Sequence, residues 1–360
     1  MDDLIGAVGA IEESGEKAAL ASLIWSSGSI PMSDRAKMLV REDGRVIGTI
    51  GGGCLEAEIL TCGRQVIESG NPHLTRYTMT EEQAGESGLN CGGTVRIYTE
   101  VIQAQKDMLP YQEVGQARER RQACIMATLL GQEPTSNRKM LIYSDGRRRG
   151  SLGAKELDNQ VVQQLEAVFE KERGVVLELE SDSKVEAFVE PFLPAPLLYI
   201  FGGGHVGGQI CTLAKNVGFE VVIVDDRPMF ANAERHPIAD GFIVEEMDRA
   251  FEKMKIDEQS YIIAATRGHQ HDEVVIEQAI RTDAAYVGML GSERKKMILW
   301  KRIVDRGGQR QRLDQVFAPV GLNIGADTPE EIAVSVVAEL IQARRGVRKK
   351  WKTKMMELAA

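Results

Sequence analysis

The chain has 360 residues, 43% of them hydrophobic, and a formal net charge of −9. This length predicts two domains with ordinary apolar cores, and the acidic balance argues against nucleic acid or an anionic membrane as the main partner. With no run of about eighteen apolar residues, an acidic start at Met1-Asp2-Asp3 unlike a signal peptide, and five scattered cysteines without C-x-x-C spacing, the expectation is a reduced, cytoplasmic protein with no membrane segment.

In chain order, residues 2–27 carry apolar positions at helical spacing through Leu20, Leu23 and Ile24, and predict a helix broken at Gly28-Ser29-Ile30-Pro31. Met38–Val40 and Val46–Ile50 flank Asp43-Gly44, a hairpin signal. The second strand runs into Gly51-Gly52-Gly53-Cys54-Leu55-Glu56, and the helix that follows is expected to reach about Ser69, where Gly70-Asn71-Pro72 stops it. A loop from Glu86 to Gly93, containing Cys91, leads into a strand from Thr94 to Val101. Cys62, Cys124 and Cys211 lie in helix-like apolar surroundings and read as core.

The pattern then repeats. At an offset of 102, eight of the fifteen positions from 37 to 51 are identical, among them Lys37/Lys139, Asp43/Asp145, Gly48/Gly150 and Gly51/Gly153. Residues 37–69 and 139–171 are read as a duplicated strand–turn–strand–helix unit, and residues 1–190 as one α+β domain. Gly52, Gly53 and Cys54 become Ala154, Lys155 and Glu156 in the second copy. The hairpin therefore does not need them, and the chemistry is assigned to the first copy; drift in the second is the alternative.

Residues 191–196, PFLPAP, form a Pro-rich linker. Residues 197–345 read as a Rossmann-like doubly wound parallel sheet, with strands at 197–201, 221–224, 241–244, 261–266 and 285–290 and helical stretches between the last three. Residues 346–360 are a basic tail. Gly202-Gly203-Gly204-His205-Val206-Gly207 satisfies G-x-G-x-x-G between the first strand and a helix. Gly202 makes the tight turn, Gly204 admits a pyrophosphate, Gly207 packs helix on strand, and the helix start at His205 and Val206 offers N–H groups to an anion. Asp225 sits where a carboxylate accepts ribose hydroxyls, and Arg227 where a 2′-phosphate would lie. The alternative is a tight loop that binds nothing. Thr328-Pro329-Glu330-Glu331 signals the start of a closing helix.

Cys54, after three glycines at a helix start, is a candidate nucleophile or soft-metal ligand; the bland reading is a small buried hydrophobe. Cys91 has the same glycine-flanked setting. Arg267, His269 and Asp272 follow the fourth strand on the rim where α/β sheets bind ligands. Arg267 suits a phosphate, and His269 with Asp272 an oriented acid–base pair. His269 and His271 lack a third metal ligand. Ser292, with Lys295, starts another helix able to hold a phosphate, or simply a capped one.

Gly51-Gly52-Gly53-Cys54-Leu55-Glu56, Cys91-Gly92-Gly93, Gly202-x-Gly204-His205-Val206-Gly207, Val224-Asp225-Asp226-Arg227-Pro228, Thr266-Arg267-Gly268-His269 with Asp272, Gly291-Ser292 and Pro319–Gly325 before Thr328-Pro329-Glu330-Glu331 occur together here. As a set they resemble the xanthine dehydrogenase accessory family of XdhC/CoxI type. Two departures are Gly203, where alanine is commoner, and the wording of residues 31–36. The resemblance implies an accessory factor rather than a stand-alone enzyme. Such a factor binds molybdenum cofactor, as molybdopterin or its dinucleotide, presents it to a cysteine desulfurase and delivers it to a xanthine dehydrogenase-type molybdenum hydroxylase. A homodimer is the expected assembly. The competing reading is an NAD(P)-dependent oxidoreductase with His269 or His205 as acid–base group. A molybdenum hydroxylase itself is excluded by the lack of iron–sulfur cysteine spacing.

Overall fold

The computed structural model describes residues 2–30, 32–78, 93–104, 108–131, 138–165, 168, 173–181 and 184–346. The chain forms two compact units, Met1–Pro194 and Ala195–Ala360.

The first unit opens with α1 (Asp2–Ser14), followed by β1 (Ala18–Gly28), β2 (Lys37–Arg41), β3 (Val46–Thr49), α2 (Gly53–Ser69), β4 (His73–Thr78) and β5 (Gly93–Ile102). The same succession recurs as α3 (Pro110–Glu119), β6 (Cys124–Leu129), β7 (Lys139–Tyr143), β8 (Arg148–Gly150), α4 (Lys155–Val162), β9 (Val175–Leu179) and β10 (Val185–Phe192). Each copy makes a five-stranded antiparallel sheet of one order, β3-β2-β1-β5-β4 and β8-β7-β6-β10-β9.

The helix expected over 2–27 is only half present. Gly15, at φ 77, ends α1, and Ala18–Gly28 is the middle strand of its sheet. Both faces of that strand are covered. Ala19, Ala21 and Leu23 pack with Leu55, Ile59 and Val66 of α2, while Ala18 and Leu20 pack with α1 and α3. A strand buried on two faces shows no polar–apolar alternation, and its apolar run imitates a helix. Cys124 is misplaced for the same reason: it is core, but in the equivalent strand β6, where burial pushes its thiol up to about 12.

The two copies are joined by reciprocal buried ion pairs. Lys37 Nζ lies 2.9 Å from Glu190 and donates to Ser22 Oγ at 2.8 Å. Lys139 Nζ lies 2.7 Å from Glu100 and donates to Thr128 Oγ1 at 3.2 Å. Ser22, Lys37, Glu100, Thr128 and Glu190 line a void of about 10 Å³, roughly the room one water needs. Nearby, Glu12 of α1 accepts the amides of Tyr111 and Gln112 at 2.9 and 3.0 Å and so caps α3.

The second unit contains β11 (Leu197–Phe201), α5 (His205–Asn216), β12 (Glu220–Asp225), β13 (Gly241–Val244), β14 (Ser260–Ala264), α6 (His269–Ala279), β15 (Tyr286–Met289), α7 (Glu293–Asp305), the short α8 (Arg310–Leu313) and α9 (Pro329–Arg344). Its five strands are all parallel, in the order β13-β12-β11-β14-β15. The chain runs outward from β11 in one direction and then returns to its other side, so a switch point lies between β11 and β14. Alternate residues of β11 feed two cores. Tyr199 and Phe201 meet Val275 and Trp300 of α6 and α7, and Leu198 and Ile200 meet Ile210 and Val336 of α5 and α9. Between β13 and β14 there is a single 3₁₀ turn, Ala250–Lys253, where the sequence suggests a fuller helical stretch. Thr328 and Glu331 cap α9 reciprocally. Among the described residues, no helix is long and apolar enough to cross a membrane.

Two stability outcomes follow. A Cβ at Gly150 (φ +72) would stand 2.2 Å from the Lys139 carbonyl oxygen, whereas at Gly146 (φ +85) it meets open space. Gly146→Ala is expected to cost about 1–2 kcal/mol from backbone conformation alone, and Gly150→Ala roughly 3 kcal/mol or more, because the collision is added; urea midpoints read the difference. Burial pushes the Glu12 carboxyl up from the ordinary 4.5 to about 7, against the Gln112 amide and Lys139. Between those pH values the Glu12 site of the folded state binds more proton than that of the unfolded, so the contribution of Glu12 to stability is greatest below pH 4.5 and falls as pH rises towards 7. Glu12→Gln should flatten that decline and gain roughly 2–3 kcal/mol above the folded pKa; urea unfolding across pH checks it.

Candidate functional site

In the second unit four loops meet at the carboxyl ends of β11, β12, β14 and β15. Two of the three fingerprint glycines are fixed by close backbone contacts, and the third is not. Gly202 has φ +114, and a Cβ there would lie 2.3 Å from the Ala265 carbonyl oxygen. At Gly207 a Cβ would lie 1.9 Å from the Gly202 carbonyl oxygen, the contact that brings α5 against β11. At Gly204 an added Cβ meets nothing, so the start of α5 is open on that side. His205, the first residue of α5, is exposed, and Val206 is half-buried against the core. Open N–H groups at a helix start attract an anion.

Asp225 ends β12 and is only 1% exposed. Its carboxylate accepts the Gly203 amide at 3.0 Å, the Arg227 amide at 3.1 Å, and the Arg227 side chain through Nε at 2.9 Å and Nη2 at 3.1 Å. Burial works against its charged form, but the Arg227 and Gly203 hydrogen bonds outweigh it and hold the carboxyl below its usual range. Arg227 stacks on Phe230, 3.7 Å from the ring centre. Arg267, half-exposed, donates to Asp226 at 2.7 Å.

Sequence reasoning did not find the strap that follows. Residues 227–236 fold over the glycine loop without forming a helix. Arg235 Nε donates to the Gly203 carbonyl at 3.0 Å, and His236 Nε2 lies 3.2 Å from the same oxygen. A Cβ on residue 203 would stand 1.9 Å from the Phe230 carbonyl oxygen, so in this chain the strap leaves no room for a side chain there. The available signal was two arginines and a histidine within about a dozen residues of Asp225.

The third and fourth loops are tied to each other. Asp272, fully buried, accepts Thr266 Oγ1 at 2.8 Å and the ammonium of Lys295, which also donates to the Leu290 carbonyl at 2.8 Å. The partner of Asp272 is thus Lys295; His269 is exposed at the first turn of α6. Ser292 caps α7, accepting the Lys295 amide at 3.2 Å.

In the first unit, Thr49 and the Ile50 amide are held by the Glu56 carboxylate, and the Gly51 amide by Thr49. The second copy repeats this brace with Ser151, Leu152, Asp158 and Gly153. Beyond the brace the copies differ. Gly51, Gly52 and Gly53 have φ of 106, 85 and 68, whereas Ala154 is extended at φ −144. Cys54, the second residue of α2, is exposed. Gly51 abuts Met32 and Gly93 abuts Ile30, so the glycine turn and the start of β5 border one segment of chain. Cys91 lies just before Gly93, outside the described residues. Cys62, Cys124 and Cys211 are buried. Among the described residues no group of three or more His, Cys, Asp or Glu side chains is placed to hold a metal ion.

Residues 198–340 match the family described as XdhC Rossmann domain, and residues 11–78 and 117–180, one stretch in each copy, match the XdhC and CoxI family. The chain belongs to the XdhC and CoxI family. A Bacillus subtilis (strain 168) protein named as a probable subunit of xanthine dehydrogenase is 28% identical to it, over 94% of this chain and 96% of that one. The molybdenum cofactor insertion chaperone PaoD of Escherichia coli (strain K12) is 22% identical, over 92% of this chain and 85% of PaoD. A crystal structure of a protein named xanthine dehydrogenase from Bacillus halodurans shares the fold, with a TM-score of 0.76 at 24% identity over 95% of this chain and 96% of that one.

The Asp272–Lys295 pair yields a test of how the rim is held. Removing one partner of a buried pair leaves an uncompensated charge, at about 3–5 kcal/mol. Lys295→Met should lower the urea midpoint accordingly, and Asp272→Asn combined with Lys295→Met should recover part of the loss.

Proposed function

We propose that this protein binds the molybdenum cofactor as cargo and passes it to a molybdenum hydroxylase of the xanthine dehydrogenase kind. The observation that carries the reading is Cys54: an exposed thiol after three glycines of left-handed φ, on a turn whose braced twin in the second copy lacks the thiol and the two glycines before it. The twin folds locally without them, which leaves their retention to chemistry. A thiolate is a soft ligand, suited to the metal end of a pterin dithiolene, and Cys91 is assigned the same role. Glycine beside a thiol lets a bulky ligand approach the backbone.

The relatives support the same reading, since one is named a molybdenum cofactor insertion chaperone and another is named for xanthine dehydrogenase. In the second unit the unobstructed side of Gly204 and the first turn of α5 suit a phosphate, with Arg267 and Ser292 on neighbouring loops. His269 is the exposed candidate for proton transfer, and Asp272 acts through Lys295 as a positioning group. A cysteine desulfurase that sulfurates the bound cofactor, and a homodimer as the working assembly, belong to this reading.

The test is retention of pterin by full-length protein made in a molybdenum-proficient host. Cys54→Ala should cut the bound pterin by about tenfold, the loss of one good ligand, while its exposed position keeps stability within about 0.5 kcal/mol. Unchanged retention in both Cys54→Ala and Cys91→Ala would sink the thiolate role.

A further inference from the structure

In a ribose-reading Rossmann site, the acid at the end of the second strand turns its oxygens to the sugar diol. Asp225 occupies that place, but it has nothing left to offer. A carboxylate has about four lone-pair sites, and Asp225 accepts from the Gly203 amide, the Arg227 amide, Arg227 Nε and Arg227 Nη2. Three of those four donors belong to Arg227. The guanidinium cannot swing aside freely, because its face lies on Phe230. Phe230 is in turn held by its amide, which donates to the Arg227 carbonyl at 2.9 Å, by its carbonyl, 3.0 Å from His236 Nε2, and by Arg235, whose guanidinium stands 4.6 Å from the same ring while its Nε holds the Gly203 carbonyl. A diol would have to displace a bidentate, stacked arginine and leave a buried carboxylate without its counter-charge.

The charges on this side of the loop are Asp225 and Asp226 against Arg227, Arg235 and Arg267. With the exposed Glu234 of the strap these charges balance, but Asp225 and Asp226 are taken up by Arg227 and Arg267 while Arg235 bonds a carbonyl, and guanidinium groups beside an open helix start suit a terminal phosphate. The geometry points to Arg227 as the specificity-determining residue of the Rossmann unit: it fills the place of the ribose diol, so the loop takes a ligand that ends in a phosphate monoester and turns away one that continues into a nucleoside. Resting on the cofactor-binding reading above, this makes the monophosphate form of the pterin the cargo, not its dinucleotide form, and excludes NAD.

Two measurements on the full-length protein test this. The first is calorimetric titration with NAD. The wild type is expected to show no saturation at millimolar NAD, and Arg227→Ala, which frees Asp225, to gain affinity by about tenfold or more, the scale on which a polar site discriminates a hydroxyl it can hydrogen-bond. Arg227→Gln is the second variant if the alanine protein fails to fold, with a gain of the same sign expected. Saturable NAD binding by the wild type, or no gain in a folded Arg227 variant, overturns the assignment. A merely structural arginine would lose stability on substitution and gain no ligand. The second measurement is the form of the pterin released from purified wild type. The monophosphate form supports the assignment; the dinucleotide form overturns it while leaving the cofactor-binding function standing. Release of no pterin defeats that function instead, and the NAD titration then decides on Arg227 alone.

Discussion

The carboxylate of Asp225 is almost wholly removed from water and accepts four N–H bonds, and the rim of the Rossmann unit takes its shape from that fact. A buried charge is tolerated only when it is paired and hydrogen-bonded. Here the donors come from the glycine loop and from the start of the strap, so one charge fixes the end of β12, residue 203 and Arg227 together. Arg235 and His236 then pin the carbonyl of Gly203 from the opposite side. Added Cβ atoms at Gly202, Gly203 and Gly207 would collide with backbone, whereas one at Gly204 would meet nothing.

The first unit reaches its chemistry by a different route. Two copies of one fold share the hairpin, the glycine before the helix and a carboxylate that braces the turn through a hydroxyl and an amide. Glu56 and Asp158 perform that task equally, so Glu56 belongs to the scaffold although it lies close to the cysteine in sequence. What the scaffold does not require is confined to Gly52, Gly53 and Cys54. At 52 and 53 the left-handed backbone is unfavourable for anything but glycine, and an added Cβ would touch no neighbour, so these positions serve no packing purpose. They are retained in the copy that also presents an exposed thiol.

How much of this was legible beforehand depended on whether the signal was local. The parallel sheet was readable because each of its strands is a short apolar run bounded by a turn, and the capping box of α9 because it lies in four consecutive residues. The doublet of copies was readable from identities at a fixed offset. The strand Ala18–Gly28 was not: only the knowledge that helices cover both of its faces separates it from a helix. The Asp272–Lys295 pair and the strap over Gly203 were hidden for a related reason. Their partners are far apart in the chain, and no spacing rule connects residue 272 with 295 or 203 with 235.

The reciprocal pairs Lys37–Glu190 and Lys139–Glu100 explain how one copy could become specialised without loosening the other. Each lysine reaches across to the glutamate of the opposite copy and is steadied by a hydroxyl on its own middle strand. Buried pairs of this kind add little net stability, since desolvation offsets attraction. Their effect is on the alternatives. A slip of one sheet against the other would leave four charges buried and unpaired. Docking of the copies is therefore specified by groups that lie on the central strands, away from the strand-to-helix turns. With the docking fixed there, the turns at 51–54 and 153–156 can differ between the copies without disturbing it.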